Sequence, residues 1–146
     1  MGRLLGIDFG RKRIGLAVTD PLRIFASPLK TVRNSEFEEF LTDYLRTEQV
    51  EAFVIGYPVT LNNKPSDSVK YLGPFLEMLK KKYPETPVHL VDERFTSRIA
   101  QRAIIDAGIK KSDRQDKSLV DKISASIILQ SFLDMGKRQN TYDVPL

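Results

Sequence analysis

Four acidic residues come directly after an apolar stretch or near the start of a helical one, where a carboxylate can reach a substrate. Asp8 closes the first apolar stretch, Asp92 and Glu93 close a later one, and Asp121 lies near the start of the last helical pattern. The carboxyl ends of parallel strands meet at one edge of a sheet, so Asp8 and one of the later pair could meet there. Because adjacent strand residues point to opposite faces, only one of Asp92 and Glu93 can join Asp8, and their positions do not decide which.

Three clustered carboxylates repel one another, so such a group is stable only with cations between its members. Hard oxygen ligands favour Mg²⁺ or Mn²⁺, and two such ions can clamp the attacking water and the leaving oxygen of a phosphodiester. On a helix, Ser124 and Ala125 share the face of Asp121, and their small size would let that face approach the first strand closely. A single Asp at a strand end is more often a turn former than a ligand, so the predicted chemistry depends on three acids meeting.

Cations flank these acids in the sequence. The turn GRKRIG, residues 10–15, combines glycines with three cations and could cradle a phosphate, although it matches neither a Walker loop nor the GxGxxG pattern. Arg94 and Arg98 begin a predicted helix, where the macrodipole disfavours cations, which indicates a carboxylate or a substrate phosphate as their partner. The charged stretch 109–117 would form a rim beside Asp121, although such a loop is more often simply solvated. The predicted substrate-binding residues are Arg11, Lys12, Arg13, Arg94, Arg98, Lys110, Lys111, Arg114 and Lys117.

Turn-bounded apolar stretches predict the strands that must carry these residues. Residues 3–8, 14–19 and 25–32 are separated by short connections and predict an antiparallel meander. Residues 52–55 and 88–91 are short apolar runs that predict buried strands. Helical patterns separate them from their neighbours, so they are expected to run parallel to the first strand.

Helical spacing of apolar residues predicts the connecting helices. A capping box formed by Ser35 and Glu38 is expected to begin the first helix. The second helix, from Val69 to Leu79, contains Gly73-Pro74, which should kink or restart it.

Two further helices follow the last strand. One is predicted from Thr96 or Ser97 to Ala107, and the other from about Ser118 to Met135, where Gly136 would end it and leave a frayed tail over 139–146. The order βββαβαβαα predicts one α/β domain over residues 1–138, with a mixed sheet and helices on its faces.

Composition limits the possible functions. The 146 residues contain no cysteine and one histidine, which excludes a disulfide scaffold, a thiolate zinc site, a cysteine nucleophile and a His-rich metal site. The net charge of +4 permits a polyanionic partner without requiring one. No segment reaches the roughly 20 apolar residues needed to cross a membrane, and the N-terminus lacks the pattern of a signal peptide, so we expect a cytoplasmic protein.

Four motifs stand in an order that resembles a known family. They are GIDFGRKRIGLAVTD from Gly6, GYP from Gly56, VDERFTSRIA from Val91 and DKISASIILQSFLD from Asp121. Over nearly its whole length the chain resembles the YqgF family, also called RuvX-like, of Holliday junction resolvases and pre-16S rRNA nucleases. The resemblance implies an RNase H-like fold, in which a five-stranded mixed sheet is flanked by helices.

The same resemblance implies roles for individual residues. It favours Glu93 over Asp92, and it implies that Lys12 and Arg13 lie near the substrate and Arg94 beside the acid. The acids that it implies for catalysis and metal binding are Asp8, Glu93 and Asp121.

Three functions compete at this point. The first is a Mg²⁺- or Mn²⁺-dependent nuclease in the 5′-end maturation of pre-16S rRNA; the residues support a phosphodiesterase, and only the resemblance supports ribosomal RNA. The second is a resolvase of four-way DNA junctions, which uses the same acids and needs a symmetric dimer to place two cuts. The third is an RNA-binding ribosome-assembly factor that does not cut. Monomer and homodimer both stay open.

Overall fold

The computed structural model describes residues 2–57, 69–92 and 117–143, and within these ranges five strands form one mixed sheet. The strands are β1 (Arg3–Asp8), β2 (Arg13–Thr19), β3 (Ala26–Arg33), β4 (Val50–Tyr57) and β5 (Val88–Asp92). Their order across the sheet is β3-β2-β1-β4-β5. β1, β2 and β3 pair antiparallel, while β4 and β5 run parallel to β1. The predicted meander and the predicted parallel strands are both confirmed.

Helices cover both faces of this sheet. They are α1 (Phe37–Thr47), α2 (Val69–Lys82) and α3 (Lys117–Asp143). The side chains of β1 alternate between two cores, so that Leu5 and Ile7 pack with α1 and α2, whereas Leu4 packs with α3. No helix in the described part of the chain has the length and apolar character required to cross a bilayer.

Glycines in the strands let α3 lie directly on the sheet. A Cβ built on Gly6 would stand 2.9 Å from the Leu129 Cβ and 3.0 Å from the Ala125 carbonyl oxygen. A Cβ built on Gly15 would overlap the main-chain carbonyl of Asp121. Ala125 is fully buried in this contact. The close approach predicted from the small residues of the helix is therefore present, and it needs glycines on the sheet as well.

The expected capping box at Ser35 is wrong. Residues Asn34–Glu36 form a 3₁₀ turn, α1 begins at Phe37, and its N-cap residue Glu36 makes no side-chain capping hydrogen bond. The reason is a non-local constraint: the Asn34 main-chain N–H donates to the Lys12 carbonyl oxygen at 2.9 Å, and its Nδ2 donates to the Gly10 carbonyl oxygen at 2.8 Å. These bonds fix the direction from which the chain enters α1.

Two strand and helix boundaries also differ from expectation. β4 does not stop at Gly56, because its pairing with β5 continues through Gly56 and Tyr57. α3 does not stop at Met135 but runs to Asp143. A glycine inside a helix costs only about 1 kcal/mol relative to alanine, and the residues after Gly136 begin with the strong helix formers Lys and Arg.

α2 is one continuous helix that contains Pro74. Pro74 is the sixth of its 14 residues, where the missing N–H removes one main-chain hydrogen bond, and the helix continues without restarting. The loop predicted over 59–67 and the helix predicted over 96–107 lie outside the described residues.

We predict that Gly15→Ala destabilises the protein by about 1–3 kcal/mol, because the new methyl group meets helix backbone that cannot move aside cheaply. Gly73→Ala is the matched control: nothing lies within 4 Å of its added Cβ, so stability should stay equal or rise by up to about 1 kcal/mol. Urea unfolding of both variants measures the difference. Equal unfolding midpoints would contradict the close contact.

Candidate active site

Asp8 and Asp121 are brought to the same place through Gly15. Asp8 is the last residue of β1, and its register partner on β2 is Gly15. Gly15 in turn lies against the main chain of Asp121 in the first turns of α3. Because directly opposed residues in an antiparallel pair have Cα atoms about 4.5–5.5 Å apart, these contacts make the two acids neighbours. They are separated by 113 positions in the sequence, since 121 − 8 = 113.

Strand alternation places the Asp8 side chain on the α3 face of the sheet. Leu4 packs in the core beneath α3, and a side chain on Gly6 would meet α3, so the even-numbered residues of β1 point to this face. Asp8 continues this series. Its side chain is half-buried, which suits a carboxylate that must remain reachable from solvent.

Arg13 pairs with Asp121 across this edge. Its Nε donates to Asp121 Oδ2 at 2.9 Å, and the side chains are 36% and 24% exposed. Arg13 points to the α3 face because it lies two residues before Gly15 on β2. The guanidinium orients the Asp121 carboxylate and offsets part of the negative charge that Asp8 and Asp121 bring together.

The three consecutive cations of the β1–β2 turn point to different places. Arg13 reaches Asp121, whereas the guanidinium of Arg11 lies 4.2 Å from the centroid of the Tyr71 ring on α2. The Lys12 side chain is exposed, and its main-chain carbonyl accepts the hydrogen bond from Asn34. The turn therefore does not present its three charges to one phosphate.

Several of the residues predicted for the site lie outside the described ranges. They are Glu93, Arg94, Arg98, Lys110, Lys111 and Arg114. Lys117 is described only as the first residue of α3, and Asp92 as the last residue of β5. Within residues 2–57, 69–92 and 117–143, no three His, Cys, Asp or Glu residues form a group that could hold a metal ion. Asp8 and Asp121 are thus the two predicted acids whose side chains the structure describes.

Sequence reasoning missed the contributions of Gly6, Gly15 and Tyr71. The two glycines stand inside strand patterns, and an isolated glycine there signals a bulge or a close backbone approach. That signal was available, whereas the contact of Tyr71 with Arg11 joins residues 60 positions apart, since 71 − 11 = 60, and no local pattern marks it.

The arrangement defines an RNase H-like α/β fold with acids at the carboxyl edge of its central strands. Among solved structures, RuvC of Thermus thermophilus in complex with a Holliday junction substrate is similar with a TM-score of 0.56 and 17% identity, over 93% of this chain and 97% of that chain. The fowlpox virus resolvase in complex with Holliday junction DNA has a TM-score of 0.53 at 14% identity, over 91% and 97%. At these identities the likeness shows the fold alone.

The family follows from the sequence comparison. A model of the RuvX family, described as Holliday junction resolvase, matches residues 2–135, and the chain belongs to this family. A protein of Porphyromonas gingivalis named "putative pre-16S rRNA nuclease" is 54% identical over 138 residues, which cover 94% of this chain and 100% of that protein. A protein of Bacteroides fragilis with the same name is 51% identical over 134 residues, covering 92% and 97%.

We predict that breaking the Arg13–Asp121 pair changes global stability little. Partly exposed ion pairs contribute about 0.2–1 kcal/mol, so Arg13→Gln and Asp121→Asn should each remain folded, with a coupling energy in this range. A double-mutant cycle in urea measures it. The Arg3–Glu48 pair, 29% and 39% exposed, is the matched control away from this edge. A coupling energy above about 3 kcal/mol would contradict the view that the contact between α3 and the sheet, rather than the ion pair, positions Asp121.

Proposed function

We propose that the protein is a metal-dependent nuclease that hydrolyses phosphodiester bonds, and that its substrate is the 5′ end of the 16S ribosomal RNA precursor. The observation that carries the proposal is that Asp8 and the main chain of Asp121 both lie next to Gly15, at the carboxyl edge of β1. Relatives about 50% identical that are named for pre-16S rRNA cleavage support the choice of substrate. Action on this substrate would place the protein in the cytoplasm.

The donor chemistry of the site fits a divalent cation. Both described acids offer carboxylate oxygens, which are the ligands that Mg²⁺ and Mn²⁺ prefer. Asp121 already binds a positive group, the Arg13 guanidinium. In the proposal Asp8, Asp121 and Glu93 hold the metal, which supplies an activated water and charge stabilisation at the reacting phosphoryl group.

Strand parity supports Glu93 as the third acid. Val91 packs in the core beneath α3, on the same face as Asp8. Glu93 comes two residues later, so continued alternation would direct its side chain to that face and the Asp92 side chain to the other. Glu93 itself lies outside the described residues, and its role stays a proposal.

The cations are proposed to hold the nucleic acid backbone on either side of the cut. Lys12 is exposed at the carboxyl edge and Lys117 begins α3 four residues before Asp121. Arg94, Arg98, Lys110, Lys111 and Arg114 are proposed to extend this positive rim. Arg13 is placed to hold the Asp121 carboxylate in orientation, and a phosphate oxygen nearby would meet the same guanidinium.

A resolvase of four-way DNA junctions is the second candidate. The description of the matched family as Holliday junction resolvase favours it. This function would need two copies of the site related by a two-fold axis, because two strands must be cut symmetrically. Paired, symmetric cuts therefore distinguish it from RNA maturation.

We predict cleavage of a 16S precursor fragment in Mn²⁺ or Mg²⁺, and a loss of at least about 100-fold in Asp8→Asn and in Asp121→Asn. Each substitution removes a charged oxygen ligand while keeping the shape of the side chain. Asp43→Asn is the matched control, because this exposed carboxylate on α1 pairs only with Arg46, at 3.5 Å, among the contacts described for it. Glu93→Gln tests the third acid in the same assay.

Three outcomes separate the candidate functions. Cutting confined to a four-way DNA junction, in paired symmetric positions, would replace the RNA proposal with the resolvase. Cutting of an unrelated single-stranded RNA as fast as the precursor fragment would remove the ribosomal specificity. A folded protein that binds RNA and cuts none of these substrates would support the assembly factor instead.

We also predict that Mn²⁺ raises the thermal stability of the wild type and not that of Asp8→Asn. An ion that binds only the folded state stabilises it by about 2.7 kcal/mol at 100 times its dissociation constant. Thermal unfolding with Mn²⁺ and with EDTA measures the shift without any substrate. Equal shifts in the two proteins would place the metal elsewhere.

A further inference from the structure

A cavity of about 300 Å³ opens beside the β1–β2 turn, between the start of α1 and the middle of α2. It lies on the face of the sheet that α1 and α2 cover, opposite the face that carries Asp8 and Asp121. Of the proposed acids, the two that the structure describes, Asp8 and Asp121, do not line it. The proposed cleavage chemistry therefore leaves this cavity without a role.

Three phenylalanines give the cavity its apolar wall. Phe75 of α2 stands between the other two, with its ring centroid 4.7 Å from that of Phe9 and 5.0 Å from that of Phe37. All three side chains are buried, so the rings are held in place by the core. A flat apolar group entering the cavity would meet an ordered aromatic surface.

Arg11 and Tyr71 both line the cavity, with the Arg11 guanidinium over the Tyr71 ring. The guanidinium carbon lies 4.2 Å from the centroid of the tyrosine ring, and Tyr71 is 45% exposed. Both groups are planar, and guanidinium and phenol planes are surfaces on which unstacked nucleobases stack. An exposed aromatic residue held by a cation is thus available as a stacking platform.

Besides Arg11 and Tyr71, the polar side chains of Asn34 and Glu38 line the cavity and could contact the edge of a base. Asn34 has its amide orientation fixed, since its Nδ2 donates to the Gly10 carbonyl oxygen at 2.8 Å. The Glu38 carboxylate accepts from Lys82 at 3.0 Å and can also accept from the amino group of a base. The Glu38 charge is paired with Lys82, so it is the aromatic wall that selects the part of a nucleotide, and the base is the part that fits it.

The cavity lies one residue along the chain from the proposed catalytic acid. Asp8 and Phe9 are adjacent, and the first faces α3 while the second lines the cavity. A single strand that crosses the carboxyl edge of β1 can therefore place a phosphate on one face and a nearby base on the other. We propose that this cavity binds one unpaired nucleobase of the substrate, an inference that rests on the proposed nuclease function.

The test is a double-mutant cycle that combines removal of one base of the RNA with removal of the Tyr71 side chain. Single-stranded RNA carrying the cleavage sequence is made with an abasic site at each position in turn, and binding is measured in EDTA to prevent cleavage. In the wild type, removing one particular base should weaken binding about 5- to 100-fold. Tyr71→Ala should weaken binding of the intact strand by a similar factor, and the two losses should not add.

Tyr71→Phe is the matched control, because it keeps the ring and should restore binding of the intact strand. A second readout uses 2-aminopurine at the identified position, whose fluorescence falls when it stacks; the chain contains no tryptophan to interfere. Quenching should occur with the wild type and with Tyr71→Phe and be lost with Tyr71→Ala.

The outcomes separate this inference from the function on which it rests. If the wild type binds and cuts RNA but the two losses add, or no single base matters, the cavity proposal fails and the nuclease stands. If Tyr71→Ala abolishes neither quenching nor affinity, the base is bound elsewhere and the cavity proposal fails in the same way. If the wild type neither binds nor cuts any nucleic acid, both fail.

Discussion

The main chain of α3 touches the main chain of β2 at Gly15, and most features of the site follow from this contact. Any side chain at that position would stand inside the Asp121 carbonyl. Because Gly15 is also the register partner of Asp8, the contact joins a residue from each end of the sequence. Gly6 and the buried Ala125 extend the same close contact between α3 and the sheet. The backbone of α3 therefore lies directly against the strand backbone at these glycines, which leaves little freedom for Asp121 to move relative to β1.

The electrostatic balance at the carboxyl edge of β1 depends on the same contact between α3 and the sheet. Bringing Asp8 and Asp121 together costs free energy, since like charges repel more strongly where protein replaces water. The Arg13 guanidinium offsets part of that cost at 2.9 Å from Asp121. A divalent cation would offset more of it, because two positive charges then meet carboxylate oxygens. In the proposed function, the metal would take over part of the charge balance that Arg13 supplies to Asp121.

The carboxyl edge of β1 has two unlike faces. On one face stand acids and an arginine, under a helix that approaches closely because its partners are glycines. On the other face α1 and α2 pack through large apolar side chains, and a cavity walled by phenylalanines lies beside Arg11 and Tyr71. The alternation of strand side chains separates charge chemistry from apolar binding within two neighbouring residues, Asp8 and Phe9. A substrate that is both polyanionic and aromatic, as a nucleic acid is, matches both faces.

Local patterns in the sequence determined a large part of this structure. Alternation and turn residues predicted the meander and the parallel strands, because side-chain direction in a strand depends only on position along it. The position of Asp8 at a strand end follows from the same patterns. The resemblance to the family adds Glu93 as a prediction, and this residue lies outside the described ranges.

Tertiary structure alone decided the features that depend on distant partners. The entry into α1 is set by hydrogen bonds from Asn34 back to residues 10 and 12, so Ser35 never serves as a cap. β4 continues past Gly56 because β5 pairs with Gly56 and Tyr57. The separation of Arg11 from Arg13 and the pairing of Arg13 with Asp121 required the positions of α2 and α3. Contacts between residues far apart in the chain have no local signature, because their free energy appears only after the intervening chain has folded.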